Sequence, residues 1–578
     1  MRPLPVHTIR IAVFFLFTTM VLSAALAQSP ADRGPAMPVN PFVASADWWK
    51  HAVIYELYPR SFGDSNNDGT GDLNGITQHL DHLQTLGIDA IWITPMFPSP
   101  QVDFGYDVSD YRNVDPQYGT LADFDRLVSE ANKRGIKILL DFVVNHTSDQ
   151  HQWFKNSTQS KNNRYRNFYI WRDGRGPGQP PNNWKSAFGG SSWKLDPASG
   201  QYYYHYFYPE QPDLNWRNPA VEKEMFDTMR WWFKRGVYGF RLDAVDALYE
   251  DEKLADNPTL PGVDPYGEPN QQHLNDHSLP EVHNALQRMR KVVDEYKGRV
   301  LIGETWTNTP AELTAYYGAR NNELQMPMYF NFTTINRLDV AAFRERIEAV
   351  EQNPVGGWPV FVLSNHDIRR QVDRYTPAGA DKDAVAKLLA AMYLTLRGTP
   401  IMYYGEELGM QNNDPARRED VKDVIGQKGW PTEKGRDGER TPMQWNASLN
   451  AGFNQGAKPW LPVGADSITR NVAAEMADSS SVLNWYRQII RLRREHLALT
   501  EGDYQTVSTP SPNVLAYKRT ANGKTILILL NFSEVPQSIS LPPITADHTS
   551  TKLASSASQL NETQAQLEGF GVLVLELK

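Results

Sequence analysis

The sequence predicts a parallel (β/α)8 TIM barrel, an α/β fold, with a subdomain inserted after strand 3 and a C-terminal antiparallel β domain. Three observations predict it. Short apolar runs alternate with amphipathic helical stretches eight times from about residue 47 to 498. The alternation breaks after the third run, where residues 147–218 are polar and rich in Asn, Tyr, Gly and Trp. Beyond 499 only strand-like runs remain, separated by turn residues. At 578 residues the chain is too long for one hydrophobic core, so several units are expected.

The N-terminus reads as an export signal over 1–27. Arg2 and Arg10 give it a positive start, an uncharged run follows from Ile11, and Ala25-Leu26-Ala27 is a small-x-small cleavage site before Gln28. The run is short for a membrane span, so an uncleaved anchor is the weaker alternative. This places the protein in the periplasm or outside the cell, with no membrane attachment after cleavage. Residues 28–46, rich in Pro, Ala and Ser, read as a linker.

The first part of the barrel spans 47–146. A strand is expected over 53–58. Ile76, Leu80, Leu83 and Leu86 then recur at helical spacing up to Gly87. A second strand covers 88–94. Phe124, Leu127, Val128 and Ala131 mark a helix opened by Thr120 and closed by Lys133-Arg134-Gly135. The third strand, 136–145, is nearly all apolar, as a strand buried on both faces should be. After the inserted subdomain the barrel resumes over 219–498. Asn218-Pro219 starts a helix. Strands are expected at about 237–243, 300–304, 327–332, 359–364 and 399–404, with helices at 384–397 and 482–496. A second irregular insertion covers 411–475. The C-terminal domain, 499–578, holds strands near 514–518, 525–531, 537–541 and 572–577.

Composition narrows the chemistry. The formal net charge is −9 and no dense Lys/Arg block occurs, which speaks against a nucleic-acid partner and for a neutral or small polar one. There is no Cys, so disulfides and thiol catalysis are excluded.

In such barrels the site lies at the C-terminal ends of the strands. Strand 3 ends Asp141-Phe142-Val143-Val144-Asn145-His146, strand 4 ends Arg241-Leu242-Asp243, strand 5 ends Gly303-Glu304-Thr305-Trp306, and strand 7 ends Ser364-Asn365-His366-Asp367. Asp243, Glu304 and Asp367 would therefore meet at one mouth. A single carboxylate there is more often a cap or turn residue; three together, with Arg241 and two His, suggest glycoside hydrolysis, which needs one carboxylate and one carboxylic acid. Arg241, two residues before Asp243, shares its strand face and should keep it ionised. Glu304 has no neighbouring cation in sequence, which suits the acid.

These four segments, in this order, resemble the α-amylase family of glycoside hydrolases, over nearly the whole chain from Trp48 onward. The resemblance implies Asp243 as nucleophile, Glu304 as general acid/base, and Asp367 as the residue gripping the 2- and 3-hydroxyls of glucose. It implies further that His146 and His366 bind the same ring, that Arg241 orients the nucleophile, and that configuration is retained. Gln211-Pro212-Asp213-Leu214-Asn215, Gly105-Tyr106-Asp107 and Gly438-Glu439-Arg440-Thr441-Pro442-Met443-Gln444-Trp445 resemble the oligo-1,6-glucosidase and α-glucosidase (maltase) branch. By that likeness Tyr106 and Asp107 hold the terminal glucose and Arg440 caps its subsite, which makes the enzyme exo-acting on disaccharides and short oligosaccharides; loop packing is the alternative for all three. Ala244, where oligo-1,6-glucosidases commonly carry Val, implies a preference for α-1,4 linkages.

Asp64, Asn66, Asp68, Thr70 and Asp72 place oxygen donors at alternate positions of a Gly-containing loop, as a hard cation requires. The pattern resembles half an EF-hand loop, but position twelve is Gly75, so the bidentate Glu is missing. An Asx-turn loop without metal is the alternative. The related α-glucosidases carry a structural Ca²⁺ here, which implies the same for this chain; no organic cofactor is expected. Two other readings stay open: a trehalose synthase or sucrose isomerase that rearranges its substrate, and a non-enzymatic relative of transporter subunits.

Overall fold

A computed structural model describes residues 36–577 except 308, 354–355, 542–548, 556 and 562. The export-signal reading of 1–27 and the start of the linker lie outside the described residues. Among those described, no helix is long and apolar enough to cross a membrane.

Eight parallel strands form the barrel: β1 Ile54–Leu57, β2 Ala90–Ile93, β3 Lys137–Val143, β4 Gly239–Asp243, β5 Val300–Gly303, β6 Met326–Pro327, β7 Val360–Val362 and β8 Thr399–Tyr403. Their hydrogen-bonded order is β6-β5-β4-β3-β2-β1-β8-β7. Ile54 is in register with Ala90 on one side and with Ile401 on the other, so the first strand pairs with the last. Every residue of these strands is buried, because side chains on one face fill the barrel and those on the other meet the helices. Ile54, Trp92, Leu139, Ile302, Val362 and Ile401 belong to one inner cluster.

The sixth strand is far shorter than the expected 327–332. Pro327 has no N–H for the ladder, and Phe330–Phe332 turn into a 3-10 helix. The ring closes through a single parallel bridge, Tyr329 to Phe361, with the Tyr329 N–H donating to the Val360 carbonyl at 3.1 Å.

The helices begin where their caps predict. The Thr120 hydroxyl accepts from the Asp123 N–H, and the Asp123 side chain accepts in return from the Thr120 N–H, a complete capping box for Leu121–Lys133. Asn218 caps Pro219–Lys234, Asp381 caps Lys382–Thr395, and Ser481 caps Val482–Glu495. The helical run at 76–86 is two helices, Leu73–Gln78 and Leu80–Leu86, broken at His79. Gly87 ends the second with φ 97°, where a Cβ would strike Met37 and Ile490.

The inserted subdomain carries a three-stranded sheet, Trp171–Arg172, Gln201–Tyr204 and Trp193–Asp196, beside the helix Gln152–Gln159. It joins the barrel by an antiparallel bridge from His146 to Asp213 and by the Leu214 N–H, which donates to the Asn145 carbonyl at 2.8 Å. The segment Gln211–Asn215 is therefore stitched directly onto the end of β3. The C-terminal domain is antiparallel, with a five-stranded sheet in the order Asp503–Thr506, Val514–Ala521, Lys524–Asn531, Val572–Leu577, Thr549–Ala554 and a second, three-stranded sheet. The strands at 503–506 and 549–554 are polar edges, which hydrophobic alternation does not reveal.

Candidate active site

A cavity of about 940 Å³ opens at the C-terminal ends of the strands, and Tyr106, His146, Asp243, Glu304 and Asp367 all line it. Three strand ends thus bring the expected carboxylates together, as the barrel geometry requires.

Arg241, fully buried on β4, organises its floor. One terminal nitrogen donates to Asp243 Oδ1 at 2.6 Å and to Asp141 at 3.0 Å. The other lies 2.7 Å from Glu304 Oε2, an ion-pair contact that is not aligned as a hydrogen bond. The sequence expectation that Glu304 lacks a cation is therefore corrected: Arg241 reaches it across the barrel, because β4 and β5 pair with Arg241 beside Ile302. The expectation for Asp243 also changes. Burial pushes its carboxyl well above the usual range, and Arg241 opposes that without overcoming it. Burial raises Asp141 as well. One guanidinium is thus shared among three buried carboxyls, Asp141, Asp243 and Glu304.

Glu304 is further fixed by the Ala244 N–H, donating to Oε2 at 3.0 Å, and by the Trp306 indole N–H, donating to Oε1 at 3.0 Å. Ala244 makes its bond from a left-handed backbone, φ 44° and ψ 40°. The Asp246 carboxylate accepts from the Trp306 backbone N–H at 3.1 Å, and the indole stacks on Phe330 at 4.4 Å.

On the opposite wall, His366 Nδ1 lies 2.6 Å from Glu56, and Nε2 lies 2.6 Å from the Tyr106 hydroxyl and 3.0 Å from Asp367. Burial works to lower the His366 pKa, but Asp367 and Glu56 outweigh it and bring it to about 9, so the ring is an imidazolium. Burial likewise opposes ionisation of Asp367, yet His366, Arg436 and Arg440 hold its carboxyl well below the usual range. His146 is its counterpart across the cavity. Burial lowers its pKa to about 3, so it stays neutral, with Gln211 Nε2 3.1 Å from its ring.

Two placements differ from the sequence reading. Asp107 is fully buried and does not line the cavity; it accepts from Ser99 Oγ and the Val102 and Asp103 N–H groups at 2.8–3.0 Å, and burial raises its pKa to about 6. It shapes the loop, and Asp103 faces the cavity instead. Arg440 lies behind Asp367, donating to its Oδ1 at 2.8 Å and to the His366 carbonyl at 2.7 Å, while the arginine on the cavity wall is Arg436. Arg436 donates to Asp103 at 2.8 Å, to Asp367 at 2.9 Å and to Asp423 at 2.8 Å. Neither Asp103 nor Arg436 carries a sequence signal of its own, because they meet across 333 residues.

The Asp64–Asp72 loop lies apart from the cavity. Asp64 accepts from the Asn67, Asp68 and Gly69 N–H groups and from Asn454; Asp72 accepts from Ser65 and Gly75; Asp68 accepts from Asn66 and the Thr70 N–H. These are the bonds of an Asx-turn loop. Among the described residues no three His, Cys, Asp or Glu side chains converge as a metal site. The donor chemistry, all oxygen, fits Ca²⁺ in type.

The model of the α-amylase catalytic domain matches residues 56–502, and that of the maltogenic amylase C-terminal domain matches 504–572. The chain is 42% identical over 507 residues to a probable alpha-glucosidase of Rhizobium meliloti, covering 86% of this chain and 91% of that one. It is 39% identical over 523 residues to an oligo-1,6-glucosidase of Parageobacillus thermoglucosidasius, covering 86% and 92%. Among solved structures it resembles the alpha-glucosyl transfer enzyme XgtA, with a TM-score of 0.86, 40% identity, and coverage of 92% and 99%.

Proposed function

Since the chain belongs to the α-amylase family of glycoside hydrolases, we propose that it is a retaining, exo-acting α-glucosidase that removes terminal glucose from maltose and short malto-oligosaccharides. The observation that carries this is the cavity itself: Arg241 ties Asp243 and Glu304 together on its floor, and Arg436 joins Asp103 to Asp367 on its wall. The first pair supplies chemistry and the second ends the cavity behind one sugar ring.

Retention needs a nucleophile and an acid/base on opposite sides of the scissile bond. Asp243 attacks the anomeric carbon while Glu304 protonates the departing oxygen. The positive charge developing on the sugar favours ionised Asp243, and Glu304 is the group that brings the proton. Glu304 then takes a proton from the incoming acceptor, and the covalent bond to Asp243 breaks. Anionic Asp367 supplies an acceptor to the ring hydroxyls, held in place by the imidazolium of His366 behind it. Water as acceptor gives hydrolysis; a second sugar gives transfer, which the likeness to a glucosyl transfer enzyme supports. The small Ala244 on the cavity wall supports α-1,4 over α-1,6 cleavage. Rates of glucose release from maltose, isomaltose, sucrose, trehalose and starch test the reading. Maltose should lead, and accumulation of an isomer in place of glucose would favour a rearranging enzyme.

We propose in addition that Asp64, Asn66, Asp68, Thr70 and Asp72 bind a structural Ca²⁺. Alternate oxygen donors support this, and each Asp68 carboxylate oxygen keeps a lone pair beyond its one hydrogen bond. Export of the protein, with cleavage before Gln28, is likewise our proposal, resting on the charged, apolar and small-residue pattern of 1–27. N-terminal sequencing of the mature protein tests it.

A further inference from the structure

Trp306 holds an unusual position. It is 43% exposed at the cavity wall, yet its indole N–H is engaged at 3.0 Å with Glu304 Oε1. An exposed Trp nitrogen has water for a partner and gains little from a carboxylate unless the ring is already held. Here it is held twice. The Asp246 carboxylate fixes its backbone N–H at 3.1 Å, and Phe330 lies parallel beneath it at 4.4 Å and 8°. Asp246 is itself 2% exposed and lies 3.3 Å from His277 Nε2. A rigid chain of contacts thus runs from the turn after β4 through Asp246 and Trp306 back to Glu304.

We propose that Trp306 is the positioning residue of the acid/base, and that its indole N–H sets both the direction and the proton affinity of Glu304. The proposal rests on Glu304 being that acid/base. A donor fixed on Oε1, with the Ala244 N–H and Arg241 on Oε2, holds the carboxyl plane in a single orientation at the cavity. It also stabilises the ionised form, so the carboxyl does not keep its proton too tightly to give it up. Other groups facing Glu304 are Arg241 and Asp243 on β4, Asp141 on β3 and His277 beyond the turn. All of these carry charge, and none is altered by removing a neutral indole N–H.

The test is Trp306→Phe, with a benzothienyl analogue at position 306 that keeps the bicyclic ring and replaces N–H by sulfur. Three readouts are needed: Tm, the pH dependence of kcat/KM, and rates on aryl glucosides of good and poor leaving groups. The alkaline limb, which reports loss of the acid's proton, should move up by on the order of one pH unit. The acid limb and Tm should stay. Activity should fall about 10–100-fold on poor leaving groups and far less on good ones. Glu304→Gln is measured in parallel, alone and combined with Trp306→Phe. The combined variant should show no leaving-group dependence beyond that of Glu304→Gln. An unmoved alkaline limb with equal losses on all substrates would overturn the proposal. Absence of leaving-group dependence in Glu304→Gln itself would instead remove the assignment of the acid.

Discussion

Asp103 and Asp367 lie on different barrel loops, yet the Arg436 guanidinium binds both, at 2.8 and 2.9 Å. One cation thus spans the cavity wall and neutralises two carboxylates that would otherwise repel each other. Removing it takes from Asp103 its cation, leaves Asp367 with His366 and Arg440 alone, and opens the far end of the cavity. Arg436→Ala should therefore cost about 10²–10³-fold in kcat/KM on maltose, equivalent to roughly 3–4 kcal/mol. Asp103→Asn should follow it in direction, whereas Asp107→Asn should act mainly on Tm. Steady-state rates and melting curves of the three variants check this; a larger rate loss for Asp107→Asn would refute the placement.

Asp243→Asn should abolish turnover, because an amide is a far weaker nucleophile. Glu304→Gln should lose about 10²–10⁴-fold on substrates whose leaving group needs a proton and keep more on activated aryl glucosides. Equal losses on both substrate types would count against the acid role.

The His366 ion pairs predict an alkaline limit. Its folded pKa of about 9 is raised above the ordinary His value of 6.5 by Asp367 and Glu56, against the pull of burial. Stability from these contacts is fully present below about pH 6.5 and is lost as pH rises through about 9. Fully expressed, it is worth on the order of 3 kcal/mol. Tm measured between pH 6 and 10 should fall across that window, and His366→Gln should flatten the curve.

Chelation should lower Tm more than it lowers activity at room temperature, because a metal on the Asp64–Asp72 loop would bind the folded state alone. Asp64→Ala should bring Tm down even without chelator, since Asp64 anchors three backbone N–H groups. If excess chelator leaves the wild-type Tm unmoved, the loop holds no ion.

Ala244→Val should reduce maltose cleavage about 10–200-fold and spare isomaltose, because one branched side chain narrows the space beside the nucleophile. The left-handed backbone at this position, φ 44°, adds strain of about 1–2 kcal/mol for any β-branched residue. That strain falls on the folded state whichever substrate is present and reads out in Tm, so the ratio of the two rates isolates the steric effect. Ala244→Gly relieves strain and should leave the ratio near that of wild type.

The sequence told most about what repeats and least about what crosses the barrel. Thr120, Asn218 and the apolar strand runs act through neighbours within a few residues, so their helices and strands could be placed directly. Motif spacing likewise put Asp243, Glu304 and Asp367 on one cavity. The contact of Arg241 with Glu304 and the Arg436–Asp103 pair depend on strand register and loop path, which no local pattern encodes. The shift from Asp107 to Asp103 has the same origin: both follow β2, and only the fold decides which carboxylate turns inward. The sixth strand was overestimated because Met328, Tyr329, Phe330 and Phe332 are equally suited to the buried segment that leads into a 3-10 turn at 330–332.

The pairing of β1 with β8 fixes the order of assembly. Ile54 bonds in register with Ile401, so the ring cannot close until a ribosome has delivered about seventy percent of the chain. Until then β1 presents a bare edge of N–H and C=O groups, the kind of edge that recruits foreign strands. The Asp64–Asp72 turn makes the wait longer, because its Asn67 and Gly69 bind backbone at 455–460, which emerges later still. Folding of this chain is therefore a late event relative to its synthesis, with high contact order and correspondingly slow closure. Release of ribosome-bound chains at residues 390 and 480 should show it: the shorter should remain protease-sensitive throughout, and the longer should protect residues 54–93.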